Sequence, residues 1–188
     1  MSRRKDIIRK LKETLDPERF EHSLRVEKTA VALARRYRVS TQKASLAALL
    51  HDYSRKYSRK GLLKQARRFK LKIDPIRKFE PKLFHAELSA LFAKNEFGVT
   101  SKQILGAIRK HTIGTPSMTK LEKIIYLADH IEEGRSFSGV RKIRSLAAKN
   151  LDKAILESSS NMLKFLLQKG LPIHPGTVQT RNYYLLKQ

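Results

Sequence analysis

The chain has 188 residues, of which 40% are hydrophobic, enough for a packed core in one domain. It has no cysteine, which excludes disulfide bonds and a cysteine nucleophile and fits a reducing cytoplasm. The formal net charge of +24 favours an anionic partner, either a nucleotide or a nucleic acid. No apolar run is long enough for a signal peptide or a membrane span, so we expect neither.

The spacing of apolar residues predicts helices along almost the whole chain and no strand. The longest periodic stretch runs from Leu151 to Lys169, and Gly170 ends it. We therefore expect an all-α fold over residues 1–188 with no internal boundary. Six of the predicted helices begin at a residue typical of an N-cap or of a first helical position. These start signals are Asp16–Pro17, Ser40, Ser58, Pro81, Ser101 and Ser117.

The densest charge lies in residues 55–72, where 9 of the 18 residues are Lys or Arg. Such a run is either a solvated helix face or a positive rim that attracts polyphosphate, and composition alone does not separate the two. The basic residues are Arg55, Lys56, Arg59, Lys60, Lys64, Arg67, Arg68, Lys70 and Lys72.

Histidine and aspartate follow strongly apolar runs at separate points of the chain. His51–Asp52 follows Leu49–Leu50, His111 ends another such run, and Asp129 follows Leu127–Ala128. A buried aspartate without a partner costs several kcal/mol, which a bound cation would remove. A single histidine here is more often a helix cap or a core residue, but the set favours a metal site. Imidazole and carboxylate together suit Fe, Mn, Co, Zn or Mg.

The order His22, His51–Asp52, Asp129 resembles the HD-domain superfamily of metal-dependent phosphohydrolases. Within that superfamily the chain is similar to the bacterial symmetrical bis(5'-nucleosyl)-tetraphosphatases over nearly its whole length. The segments that carry the resemblance are RFEHSL (19–24), AALLHDY (47–53), HTIG (111–114), EKIIYLAD (122–129) and IHP (173–175). The chain departs from the family at Arg55, where we expect Lys, at His130, and at Gly176, where an acid is common.

The resemblance implies an all-helical HD-domain bundle around a central metal site. The ligand core would span residues 17–131, and C-terminal helices in residues 138–188 would complete the nucleotide pocket. The implied reaction is hydrolysis of diadenosine tetraphosphate to two ADP in the cytoplasm, with iron as the expected metal and Mn, Co or Mg as alternatives. A homodimer is also implied. Two other functions stay open: an HD phosphohydrolase acting on another nucleotide, and a basic module that binds RNA or the ribosome.

The resemblance also implies roles for individual residues. The first ion would be held by His22, His51, Asp52 and Asp129, and a second by Asp52, His85 and His111. Our mechanistic hypothesis is attack of a metal-bound water on the polyphosphate bridge, with Asp52, His85 and His111 as catalytic residues. Two residues also have structural interpretations, His174 as a helix cap and Arg135 as a surface partner of Glu132 or Glu133. The expected substrate-binding residues are Arg19, His22, Asp52, Arg55, His85, His111, Thr112, Asp129, Arg135, His174 and Thr177.

Overall fold

The computed structural model describes residues 2–187, with side chains from residue 4 onward. Within this range the chain is entirely helical, which confirms the predicted fold class. Two short 3-10 helices, Tyr53–Lys56 and Pro81–Phe84, connect longer elements. The α-helices are α1 (Ser2–Thr14), α2 (Pro17–Arg36), α3 (Thr41–Leu50), α4 (Arg59–Arg68), α5 (Pro75–Phe79), α6 (His85–Asn95), α7 (Lys102–Lys110), α8 (Lys120–Ile131), α9 (Val140–Ala147), α10 (Leu151–Gln168) and α11 (Pro175–Leu186).

Four of the predicted helix starts are confirmed by side-chain caps. Asp16, Ser40, Ser58 and Ser101 each accept a hydrogen bond from the backbone N–H three residues later. These bonds satisfy N–H groups that have no partner inside the helix. The local sequence is therefore sufficient to fix where α2, α3, α4 and α7 begin.

Two of the predicted starts need correction. Ser117 does not cap α8, because it adopts a left-handed conformation with φ of 58°. Thr119 is the N-cap instead, and it forms a reciprocal capping box with Glu122. Pro81 opens a 3-10 helix, and α6 begins only at His85. The second correction places His85 at the start of α6 rather than inside a helix.

Helix α8 lies at the centre of the molecule, with α2, α3, α7 and α10 packed around it. Its residues from Ile124 to Ala128 are all at most 1% exposed, so the helix has almost no solvent-facing side there. Helix α2 packs against both α3 and α8 through an inner stripe that includes His22, Val26 and Ala30. The C-terminal ends of α3 and α8 are thereby brought beside the N-terminal part of α2, at His22.

Two regions outside this centre complete the fold. Helix α1, which was not among the predicted helices, packs on α2 and α3 and buries Ile7, Leu11 and Leu15. Helix α10 packs against α8, α9 and α11, so the C-terminal helices cover one side of α8. Across residues 2–187, none of the helices combines the length and apolar character that a membrane crossing requires.

Candidate metal centre and substrate cavity

Donor atoms from three helices meet beside the C-terminal end of α8. His22 lies in the second turn of α2, His51 follows the last residue of α3, and Asp129 lies in the last turn of α8. His22 Nε2 is 3.1 Å and His51 Nε2 is 3.9 Å from Asp129 Oδ1. Ligands held at about 2.1 Å from one ion lie about 3.0–3.4 Å apart. The first distance fits this spacing and the second is longer by about 0.5 Å. With all three donor atoms within 4.8 Å of one another, the residues form a set that could hold a metal ion.

A second group of donors adjoins the first through Asp52. Its Oδ1 lies 3.2 Å from His85 Nε2 and 3.7 Å from His111 Nε2, whereas its Oδ2 lies 3.9 Å from His51 Nε2. The two oxygens of one carboxylate thus face different histidines. Such an arrangement suits a carboxylate that bridges two ions. The structure also brings His51, Asp52 and His111 within ligand spacing of one another.

The histidine rings are held so that Nε2 faces the centre. His51, His85 and His111 each place Nδ1 against the backbone carbonyl oxygen three positions earlier. A carbonyl oxygen only accepts, so Nδ1 carries the proton and Nε2 of the neutral ring keeps its lone pair. A tethered Nδ1–H is the usual support of a histidine that ligates a metal.

Glu132 provides the same support to His22. Its Oε1 lies 3.2 Å from His22 Nδ1, while its Oε2 accepts from Arg25 Nε at 2.7 Å and from the Gly134 N–H at 2.6 Å. Burial raises the pKa of Glu132, but these hydrogen bonds outweigh burial and hold the pKa below its usual value. Glu132 is therefore an ionised acceptor that fixes the orientation of the His22 ring. It was not among the predicted site residues.

The arrangement of these donor atoms is unfavourable in the protein alone and becomes favourable when a cation is bound. His22 Nε2 and His51 Nε2 are buried and make no hydrogen bond to any described residue. His85 Nε2 and His111 Nε2 lie 2.9 Å apart, so two neutral rings with tethered Nδ1–H groups would point lone pairs at each other. A cation between such atoms removes both problems.

The pKa values are consistent with ligands in their metal-binding protonation states. Burial lowers the pKa of His51 to about 4 and that of His85 to about 3, so both rings are neutral near pH 7. Burial raises the pKa of Asp52, but the neighbouring imidazoles outweigh it and hold that pKa well below its usual value. The pKa of Asp129 is also well below its usual value, because the surrounding imidazoles again outweigh burial. Both carboxylates are therefore ionised.

The centre opens onto a cavity of about 490 Å³, a size typical of small-molecule sites. One wall of the cavity is polar and holds three arginines. Arg19 Nη1 lies 3.2 Å from Asp52 Oδ2, and Arg135 Nη2 lies 2.7 Å from Asp129 Oδ1. The third arginine, Arg55, has its Nε 3.9 Å from Asp52 Oδ2. Guanidinium groups beside the two carboxylates are suited to hold phosphate oxygens.

Nine of the eleven predicted substrate-binding residues line this cavity, and two do not. His22 and His111 are absent from its wall. His174 accepts a hydrogen bond from the Gly176 N–H, which confirms its interpretation as the cap of α11, and it also lines the cavity. Arg135 lies 3.8 Å from Glu132, its partner in the alternative interpretation, but its closer contact is with Asp129 and it lines the cavity. The nine are Arg19, Asp52, Arg55, His85, Thr112, Asp129, Arg135, His174 and Thr177.

A second part of the cavity wall is apolar and comes mainly from the C-terminal end of α10 and the segment after it. None of its residues was among the predicted site residues. The α10 residues on this wall have the helical spacing of an ordinary core face, so the sequence pattern does not distinguish them from core residues. Phe137 contributes from the loop before α9 and also packs on the core. The remaining apolar residues are Leu83, Ile113, Met162, Phe165, Leu166, Leu171 and Pro172.

The HD domain family matches residues 19–134 of the chain, a range that contains every histidine and carboxylate of the donor cluster. The chain belongs to the HD-domain family. Within it, the chain is 42% identical to "Bis(5'-nucleosyl)-tetraphosphatase, symmetrical" of Halalkalibacterium halodurans, over 95% of each chain. It is 38% identical to the protein of the same description in Bacillus subtilis, over 96% of each chain.

A solved structure is similar over the same extent. The crystal structure of an HD superfamily hydrolase from Clostridium acetobutylicum, described as involved in NAD metabolism, superposes with a TM-score of 0.94 at 36% identity. The match covers 98% of this chain and 97% of that one. The C-terminal helices that form the apolar wall therefore belong to the shared architecture.

Proposed function

We propose that the protein hydrolyses diadenosine tetraphosphate symmetrically to two ADP. The observation that carries this proposal is the position of the donor cluster, which opens onto a cavity with arginines on one wall and apolar side chains on the other. A dinucleoside polyphosphate has both characters, a polyanionic bridge and flat apolar bases. The names of the relatives in Halalkalibacterium halodurans and Bacillus subtilis support the same substrate.

We assign the metal ligands from the donor geometry. His22, His51, Asp52 and Asp129 would hold a first ion, and Asp52, His85 and His111 a second. Bound there, a metal ion would act as a Lewis acid and lower the pKa of water. We propose iron as the resident metal, with Mn, Co and Mg as alternatives that the same nitrogen and oxygen donors accept.

The residues of the polar wall would position the polyphosphate. Arg19, Arg55 and Arg135 each carry several N–H donors, and the forked geometry of a guanidinium matches two oxygens of one phosphate. Asp52 would fix the Arg19 guanidinium from one side. Thr112 Oγ1 lies 2.9 Å from His85 Nε2, so its hydroxyl can donate to that nitrogen or turn toward a phosphate oxygen. Together these contacts hold one ADP as the leaving group.

Asp52, His85 and His111 are our proposed catalytic residues. Asp52 and His85 line the cavity, and His111 Nε2 lies behind them, 2.9 Å from His85 Nε2. The neutral ring of His85 offers its Nε2 lone pair at that point. The alternative to ligation of a second ion is a charged His111: its pKa is raised, since hydrogen bonding to Asp52 outweighs burial, so with no second ion bound its ring would carry a proton behind the polyphosphate site. A positive imidazole there would stabilise charge that develops on phosphate oxygens.

We further propose that the whole chain acts as one unit, with a ligand core over residues 17–131. The C-terminal helices in residues 138–188 would then hold a nucleoside against Met162, Phe165 and Leu171, which line the cavity. We place the enzyme in the cytoplasm, where dinucleoside polyphosphates and reducing conditions coexist with a chain that has no cysteine. A homodimer also belongs to the proposal.

Product analysis and one substitution test this function. We expect diadenosine tetraphosphate to give two ADP, with metal content measured by elemental analysis of protein purified without added metal. Asp52→Ala should lose both metal and turnover, because it removes the carboxylate that faces both groups of histidines. ATP plus AMP as products, turnover of other nucleotides alone, or an Asp52→Ala protein that keeps metal and activity would each contradict the proposal.

A further inference from the structure

Helix α4 presents four cationic side chains on the face opposite its buried one. At 100° per residue these four positions fall within one third of a turn, and Leu62 and Ala66 occupy the other side. Leu62 is 1% exposed and Ala66 is fully buried, so the apolar face of α4 is already covered by the core. We name this row of exposed cations the α4 stripe. It consists of Lys60, Lys64, Arg67 and Arg68.

The α4 stripe is not neutralised by the protein. None of its four side chains forms an ion pair with any residue that the structure describes. Other basic residues of the same segment behave differently, since Arg59 binds Glu80 at 2.8 Å and Lys56 lies 3.8 Å from Glu96. The charge excess of residues 55–72 is thus concentrated at the surface of α4. It has no part in the polar wall of the cavity, where Arg55 is the segment's contribution.

An exposed aromatic ring stands at the N-terminal end of the stripe. Phe79 is 62% exposed, although a phenyl ring in water is unfavourable. Its backbone oxygen accepts a hydrogen bond of 2.6 Å from Arg59 Nη2, and Arg59 is the first residue of α4. An exposed aromatic side chain is therefore tethered, through Arg59, to the helix that carries the stripe.

We propose that the α4 stripe and Phe79 form a binding surface for single-stranded nucleic acid. Unpaired lysines and arginines contact phosphates without regard to sequence, and an exposed aromatic ring stacks on an unpaired base. A duplex keeps its bases stacked inside and would leave Phe79 unused. A membrane would need an open apolar face flanked by cations, whereas the apolar face of α4 is buried. This surface is separate from the cavity and does not depend on the hydrolytic activity proposed for it.

Binding of a short unstructured RNA, followed over a range of salt concentrations, tests the proposal. Four phosphate contacts on a single strand give a slope of about −3 in a plot of log affinity against log salt. Affinity should therefore fall about 50-fold when salt rises fourfold. DNA of the same sequence, a hairpin duplex and vesicles containing phosphatidylserine serve as parallel probes, and RNA against DNA tells the two sources of a single strand apart.

Two variants of equal charge separate the stripe from the overall charge of the protein. The stripe variant carries Gln at all four stripe positions, and the control variant carries Gln at four exposed cations on other helices and loops. Both reduce the net charge from +24 to +20. We expect the stripe variant to bind RNA at least tenfold more weakly and the control variant to resemble the parent. The control substitutions are Lys102→Gln, Arg109→Gln, Lys120→Gln and Lys149→Gln.

A third variant tests the aromatic contribution. Loss of one stacked base in Phe79→Ala should weaken single-strand binding by about 5- to 150-fold, without changing the salt slope. Thermal melting of each variant verifies that it is folded. Equal losses in the stripe and control variants would overturn the proposal, because overall charge would then explain binding. Preference for the duplex or the vesicles, or an effect of the stripe variant on hydrolysis alone, would overturn it as well.

Discussion

Glu132→Gln is the sharpest test of how the metal centre is supported. The substitution keeps the shape of the side chain but replaces one oxygen with an NH2 group. Arg25 Nε and the Gly134 N–H both donate to Oε2, so the amide oxygen must take that position. The NH2 group then faces His22 Nδ1, where the native Oε1 lies at 3.2 Å. His22 is forced to accept at Nδ1 and to carry its proton on Nε2.

The expected loss of metal affinity follows from this change of tautomer. A protonated Nε2 has no lone pair for a metal ion, although it can donate to Asp129 Oδ1 at 3.1 Å. Removing the outer partner of a ligating histidine typically costs 10- to 100-fold in metal affinity or activity. That range corresponds to about 1.4–2.7 kcal/mol. The metal-free protein should lose only the charge contribution of the Glu132–Arg25 ion pair, because every donor around residue 132 still has an acceptor.

The assay is a titration with a chelator that competes for the metal, followed by kcat/KM for diadenosine tetraphosphate. Glu133→Gln is the matched control, since Glu133 is the next residue and pairs with Lys28 at the surface. We expect the control to retain parental metal affinity and activity. If Glu132→Gln holds its metal as tightly as the parent does, the role assigned to Glu132 is wrong. A large loss of metal-free stability would point to a structural role instead.

Three further predictions follow from the same structure. Acidification from pH 6.5 to 5 should lower the free energy of unfolding of the metal-free protein by about 2 kcal/mol for each of His51 and His85. The pKa of each histidine in the folded protein lies below the unfolded value of about 6.5, so over this pH range the unfolded state binds more protons. His111, with a raised pKa, changes its contribution only above that range. Arg135→Lys should reduce kcat/KM for diadenosine tetraphosphate roughly tenfold, because lysine cannot contact two oxygens of one phosphate as a guanidinium does. The loss corresponds to about 1.5 kcal/mol of transition-state stabilisation. Tyr184→Phe should cost about 1–3 kcal/mol in urea unfolding, because the buried hydroxyl accepts from the Met118 N–H at 3.1 Å.

Each of these predictions has a result that would contradict it. A melting temperature that does not change between pH 6.5 and 5 would mean that the two histidines titrate normally. Full activity of Arg135→Lys over the whole substrate range would exclude a phosphate contact by the guanidinium. Tyr183→Phe serves as the control for Tyr184→Phe, since its hydroxyl bonds at the surface to Ser117. Equal stability of the two tyrosine variants would contradict the third prediction.

The helix starts were predictable because the signals are local. A cap such as Ser40 bonds to an N–H three residues away, so sequence alone contains both partners. The start of α8 was misassigned although Thr119 and Glu122 have the spacing of a capping box. Helix α1 also left a signal, because Ile7, Leu11 and Leu15 recur every four residues. Its many charged neighbours obscured that apolar stripe.

The histidines and aspartates of the donor cluster were predictable by residue type, and the residues that support them were not. Aspartate or histidine after an apolar run is costly unless something compensates, which marks Asp52 and Asp129 in the sequence itself. Glu132 gives no such signal, because its role depends on His22, 110 residues earlier in the chain. The apolar wall was missed for another reason. A residue such as Phe165 has the same helical spacing whether it packs in the core or lines a cavity.

The distribution of charge explains why the centre suits a polyanion. This strongly basic chain gathers three carboxylates in one place, two of them buried and that of Asp129 half-buried, and the nearest guanidinium to each comes from a different arginine. Without a cation the six charges compensate, so the attraction left for a polyphosphate is mainly that of Arg55. A bound cation turns this balance positive at the polar wall of the cavity, where the phosphates would lie. Metal binding and substrate binding are therefore coupled by electrostatics as well as by chemistry. The pairs are Asp52 with Arg19, Asp129 with Arg135 and Glu132 with Arg25.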